Sequence, residues 1–161
     1  MKRLLTMRNL SLSRAPLLLA ATILAFAIGH LPDDARAHSY NLHGIMVGHV
    51  WAPPPADGED GVPVYGPILN TGAEALQLVG ASSPIADQTR FRISKDGAES
   101  WPDSIELRPN KPFGLAEWRE HIWLSGLKKT VKEGDQFEVV LDFGSAGKLP
   151  VEVVVEKSAN H

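Results

Sequence analysis

From residue 38 onward, turn-forming residues break this chain so often that it has no room for a long helix. Many of its 14 glycines and 12 prolines separate short apolar runs, and no stretch repeats apolar residues at helical spacing. What remains is period-two alternation. From His43 to Trp51, the positions His43, Ile45, Val47, His49 and Trp51 alternate with Gly44, Met46, Gly48 and Val50. This predicts a strand that the two glycines bend or pack closely. Residues 52–61 (A-P-P-P-A-D-G-E-D-G) form a loop of prolines, glycines and acids.

Residues 62–70 read as a strand whose Gly66 and Pro67 place it at a sheet edge or give it a bulge. Asn70-Thr71-Gly72 turns into a strand over 75–81, and Ser82-Ser83-Pro84 ends it. Residues 89–94 and a following strand flank Lys95-Asp96-Gly97, in which Asp-Gly is a hairpin signal. Residues 104–107 are short and extended and lead into a loop around Pro109 and Pro112. Strands over 120–124, 137–143 and 149–155 complete the set. About eight short strands between turn signals indicate an antiparallel sandwich or barrel. No internal repeat is present, and the polar tail from Glu156 to His161 is expected to fray.

The amino end has the parts of a secretory signal. Lys2, Arg3, Arg8 and Arg14 are a basic region, Leu17 to Ile28 an apolar core, and Ala35-Arg36-Ala37 a small-x-small cleavage pattern. The apolar core is shorter than the ~20 residues a spanning helix needs. The expected organisation is therefore a signal peptide at 1–37 and one domain at 38–161, exported to the periplasm with no membrane span after processing. A cut after Ala37 makes His38 the first residue.

Of the 16 basic and 19 acidic residues, five basic and two acidic precede position 38. That leaves 11 basic against 17 acidic, a net of −6, which argues against nucleic acid or an anionic membrane surface as partner. The chain has no cysteine. Disulfides, thiol nucleophiles and thiolate metal sites are thereby excluded, and with them a blue-copper centre, which needs a Cys ligand. No nucleophile-elbow, zinc-protease or phosphate-loop pattern occurs, so the chain is not read as an enzyme.

Five blocks in order carry a family resemblance: I-M-V-G-H-V-W-A (45–52), Y-G-P-I-L-N-T-G (65–72), L-V-G-A-S-S-P (78–84), H-I-W-L-S-G-L-K-K (121–129) and K-E-G-D (132–135). Together they resemble the periplasmic copper chaperone family PCu(A)C. The resemblance implies an all-β, antiparallel Greek-key β-sandwich of cupredoxin-like type, and a copper ion as cargo. The family's Cu(I) site uses two His-x-Met pairs. In this sequence the first pair falls on Arg92 and Ser94 and the second on His121 and Trp123, so only His121 matches. Met46 is the one methionine beyond position 37, so a thioether-rich Cu(I) site is not expected.

Nitrogen donors take the place of sulfur in this reading. Cu(II) favours imidazole in a tetragonal arrangement, and a terminal His38 would offer its α-amine and its ring to one ion. The candidate metal ligands are His38, His43, His49 and His121. His43 and His49 are six residues apart, roughly 20 Å along an extended strand, and share an ion only if the glycines fold it. His161 reads as a tail residue. The acids Asp57, Glu59 and Asp60 read as a solvated loop, with an accessory or docking site as the alternative. Trp101, Trp118 and Trp123 read as packing residues, with a hydrophobic rim around a site as the alternative. The expected function is an exported copper-binding protein that delivers or stores copper, Cu(II) rather than Cu(I), for a periplasmic cuproenzyme or another copper-handling protein. The alternative is a metal-free interaction module on the same fold.

Overall fold

The structure, a computed structural model, describes residues 39–158. The expected signal segment, its Ala35-Arg36-Ala37 junction, His38 and His161 lie outside the described residues.

The described chain is built of strands apart from one 3-10 turn at Gly144–Ala146: β1 (Tyr40–Leu42), β2 (Ile45–Val47), β3 (Val50–Ala52), β4 (Gly61–Val64), β5 (Gly66–Asn70), β6 (Leu76–Leu78), β7 (Gly80–Ser82), β8 (Ala86–Lys95), β9 (Ala98–Ser100), β10 (Ile105–Leu107), β11 (Pro112–Leu115), β12 (His121–Leu127), β13 (Gln136–Asp142) and β14 (Lys148–Val155). They form three four-stranded sheets, in the orders β1-β2-β5-β11, β4-β12-β8-β9 and β3-β14-β13-β7, and a two-stranded β10-β6 ladder. Every ladder is antiparallel except β3 on β14, where Val50 runs parallel to Val153.

The β13–β14 hairpin shows how the alternation seen in the sequence makes the core. Phe137 faces Val153, Val139 faces Val151, and Leu141 faces Leu149, and all six side chains are buried. The intervening polar residues turn outward, because successive side chains of a strand point to opposite faces. The β8–β9 hairpin turns at Asp96 and Gly97, both with positive φ. This is the backbone a two-residue hairpin demands, and the reason Asp-Gly suits it.

Two expected strands are each cut in two at one shared corner. The alternation over 43–51 breaks at Gly48 and His49, after which β3 joins a different sheet. The strand expected over 62–70 breaks at Tyr65: β4 pairs with β12, whereas β5 pairs with β2 and β11. β5 therefore runs inside its sheet and not at an edge, with the Pro67 carbonyl accepting from the Gly48 amide at 3.0 Å. The glycines are required by proximity. A Cβ on Gly48 would lie 2.7 Å from Pro67 Cγ, and one on Gly66 would lie 2.9 Å from the His49 carbonyl oxygen. β1 and β11 were not legible as strands. Each is short, and β11 opens on Pro112 in what reads as a loop; both exist because β2 and β5 offer partner edges.

Asn70 ties the end of β5 to its surroundings. It is fully buried, its Nδ2 donates to the carbonyls of Glu74 (2.7 Å) and Leu107 (3.0 Å), and its Oδ1 accepts from the Gly72 amide (2.9 Å). Asn70→Ala would leave the buried Leu107 carbonyl without a partner and would free the half-buried Glu74 carbonyl and Gly72 amide. The expected loss is about 3 kcal/mol of unfolding free energy, read from urea midpoints at unchanged m; a loss below about 0.5 kcal/mol would contradict this role.

Candidate functional site

A groove of about 660 Å³ opens beside β12 and β8, bordered by the 53–60 loop and the turn ahead of β12. Alternation decides which side chains reach it. On β12, Ile122 and Leu124 point into the core, which sends His121 and Trp123 to the opposite face. On β8, Phe91 is buried, so Arg92 and Ser94 share the face of His121, to which Arg92 is the direct cross-strand partner. The four positions onto which the sequence resemblance places the two ligand pairs are thus neighbours in the fold, all lining one groove.

Their chemistry is that of stacking more than of ligation. The Arg92 guanidinium lies 4.2 Å from the centre of the Trp123 ring and 5.9 Å from that of Trp101, while Arg90 lies 4.4 Å from Trp101. Arg92 Nη2 donates to Glu99 on the neighbouring β9. Its Nε is buried with no acceptor among the described residues. A cation thus already occupies this wall of the groove, held by ring faces and one carboxylate.

The adjacent wall is aromatic. Trp51 and Tyr65 exchange backbone hydrogen bonds at 3.0 and 2.8 Å, and their rings stand 5.0 Å apart at 58°. Tyr65 meets the His121 ring edge-on at 5.6 Å. Burial pushes the Tyr65 hydroxyl up to about 12, with the Glu117 and Glu59 carboxylates adding to the rise. His121 is 3% exposed, and its Nδ1 lies 2.9 Å from the Arg119 carbonyl. A carbonyl only accepts, so Nδ1 carries the proton and the neutral ring keeps its lone pair on Nε2. Burial, helped by the nearby Arg92 charge, lowers the His121 pKa below its ordinary 6.5.

The other histidines lie elsewhere. His43 is exposed in the β1–β2 turn with φ 44°, and His49 follows the far end of β2, so the extended β2 separates them. The break at Gly48 takes His49 out of the series Ile45 and Val47, both buried, and its Nε2 meets Glu156 Oε1 at 3.0 Å. Among the described residues, no three His, Asp or Glu side chains converge as a metal-binding group. Of the two readings of the tryptophans, packing and a rim around a site, the rim describes Trp118 and Trp123, which line the groove. Trp123 and Trp101 stack on arginines, and Trp118 is 79% exposed on the turn over 116–120. Tyr65 and Glu117, which the sequence did not single out, are brought into the groove by the strand break at Tyr65 and by that turn.

Residues 45–155 match the LpqE-like lipoprotein family. The chain belongs to that family. A lipoprotein family fits an exported protein, although these 161 residues hold no cysteine to carry a lipid. No curated protein sequence matches the chain. Among solved structures, the apo PCuAC domain from PmoF1 is similar at 24% identity and a TM-score of 0.67, over 75% of this chain and 100% of that domain. The copper-bound PCuAC domain from PmoF2 is similar at 26% identity and a TM-score of 0.66, over 75% and 99%. The copper(I) form of DR1885 from Deinococcus radiodurans shares the fold at 19% identity and a TM-score of 0.58, over 78% and 83%. The all-β, cupredoxin-like sandwich and the resemblance to PCu(A)C domains are thereby borne out.

The buried His121 makes this family member sensitive to acid. Its folded pKa lies below that of the unfolded chain, so as pH falls through about 6.5 the unfolded state takes up a proton that the folded state refuses. Stability is present above that pH and declines below it. His121→Gln is expected to flatten the fall in urea midpoint between pH 7 and pH 5; an unchanged slope would show that the ring titrates normally.

Proposed function

We propose that this LpqE-like chain is an exported copper carrier, which delivers copper to, or stores it for, a periplasmic cuproenzyme. The observation that carries the reading is the 26% identity to a copper-bound PCuAC domain over 99% of that domain. Export rests on the signal pattern at 1–37, with processing after Ala37. The cargo in this reading is Cu(II), because the sequence supplies imidazoles and only Met46 as a thioether beyond position 37. The reading is of a binding protein and not of an enzyme.

His38 is the proposed first ligand, with His43, His49 and His121 as candidates to complete the site. An N-terminal histidine brings two nitrogens at once, which suits a fold whose described residues offer no ready group of three donors. The β1–β2 register favours His49 over His43 as its companion. Tyr40 pairs with Val47, so the first described residues stand beside the end of β2 from which the chain runs on to His49. Glu156 also holds His49 through Nε2, and a carboxylate on one ring nitrogen orients the other for a metal. At His121 the protonated Nδ1 likewise leaves Nε2 as the donor atom.

The second reading, a metal-free interaction module, is favoured by one observation: the Arg92 guanidinium and the Trp123 ring fill the face of the groove on which His121 stands. A competition titration with Cu(II) separates the readings. Protein whose first residue is His38 is expected to bind one Cu(II) tightly, and a variant with one extra residue ahead of His38 at least about tenfold more weakly. Equal affinity of the two would remove the N-terminal chelate, and no tight binding by either would remove the copper reading.

A further inference from the structure

The groove beside His121 has an unmatched charge. Two cations line it, and both are already engaged: Arg92 with Glu99 and two indole faces, and Lys157 with Glu133 at 2.8 Å. Two carboxylates line it as well, Glu59 and Glu117, and neither makes an ion pair or side-chain hydrogen bond among the described residues. Both act on Tyr65 at the groove floor, where burial is the main cause of its raised pKa, Glu117 adds to it, Arg92 opposes it and Glu59 adds least. Asp57 and Asp60 extend the unpaired negative charge along the adjoining exposed loop.

The same groove has aromatic surface to spare. Trp118 holds most of its indole in solvent and makes no ring or cation contact among the described residues. The half-buried Trp51 adds part of its indole at the groove wall, backed by the buried Tyr65 ring 5.0 Å behind it. Negative carboxylates flanking exposed ring faces attract a soft organic cation, since the ring quadrupole and the carboxylates pull in the same direction. The described residues use this chemistry on three of their own rings, with arginines 4.2, 4.4 and 3.9 Å from the ring centres of Trp123, Trp101 and Phe113. The indole faces of Trp118 and Trp51 are not metal ligands, and a strongly hydrated ion gains little from them.

We propose that this groove docks an arginine- or lysine-bearing segment of a partner protein, its basic side chain lying against Trp118 and Trp51 between Glu59 and Glu117. A segment fits better than a free small cation because the unpaired charge continues past the groove onto Asp57 and Asp60, where further basic residues would lie. The inference goes beyond the copper reading and needs no metal. It supplies a surface by which a carrier, or a metal-free module, would recognise a partner.

The test is a titration followed by the tryptophan indole N–H signals in two-dimensional NMR, without metal. The probe is the blocked peptide Ala-Arg-Ala-Arg-Ala, with its citrulline counterpart and tetramethylammonium as comparisons. The arginine peptide is expected to shift the Trp118 and Trp51 signals saturably. The response should weaken at least about threefold in 0.5 M salt, where charges are screened, and by a similar factor in Glu59→Gln/Glu117→Gln, whose exposed substitutions leave the rest of the spectrum in place. The citrulline peptide should shift them little. Absence of shifts with the arginine peptide, equal shifts with citrulline, or an unweakened response in the double variant would overturn the proposal. An equal or stronger response to tetramethylammonium would mark a small-cation site and overturn the peptide reading.

Discussion

The contact on which the rest of the molecule depends is the corner where two strands change sheets together. Gly48 lies so close to Pro67 that no side chain fits between them, and Trp51 and Tyr65 lock the crossing with reciprocal backbone hydrogen bonds. Below the corner, Ile45 and Val47 belong to the β1-β2-β5-β11 sheet. Above it, β3 joins β14 and β4 joins β12. The corner closes the core and also turns Trp51 and Tyr65 to the groove, so one constraint serves packing and the site alike.

Around that corner the protein separates two kinds of polar chemistry. His49 leaves the core at the strand break and meets Glu156, on the side where the described chain begins. His121 sits in the groove, neutral through burial, beside a guanidinium that ring faces and Glu99 hold in place. A cation at Arg92 opposes a second cation nearby through simple repulsion. The groove's unpaired carboxylates, Glu59 and Glu117, lie on the 53–60 loop and on the turn ahead of β12, on other segments than the β8 strand that carries Arg92.

Much of the fold was legible in the sequence because alternation and turn chemistry are local. The β13–β14 hairpin, the Asp96-Gly97 turn and the 53–60 loop all follow from residues close in the chain. What local reading could not supply was pairing. β11 looks like a proline loop until β5 offers it an edge, and the strands around Gly48 and Gly66 look continuous until each is seen to crowd the other. The site was legible in the same proportion. Arg92, Ser94, His121 and Trp123 were recognised as related positions through the family resemblance, and the ladder between β8 and β12 brings them onto one face. That Tyr65 would join them, and that Trp101 and Trp123 would stack on arginines, depends on register and sheet crossing, which no single segment encodes.

The measurement that tests the central claim most directly is electron paramagnetic resonance of Cu(II) bound to protein beginning at His38, compared with its His38→Ala and His49→Ala forms. The account predicts a tetragonal spectrum with couplings from several nitrogens, reduced in number by either substitution. A spectrum of weakly held, oxygen-ligated Cu(II), unaltered by both, would contradict it.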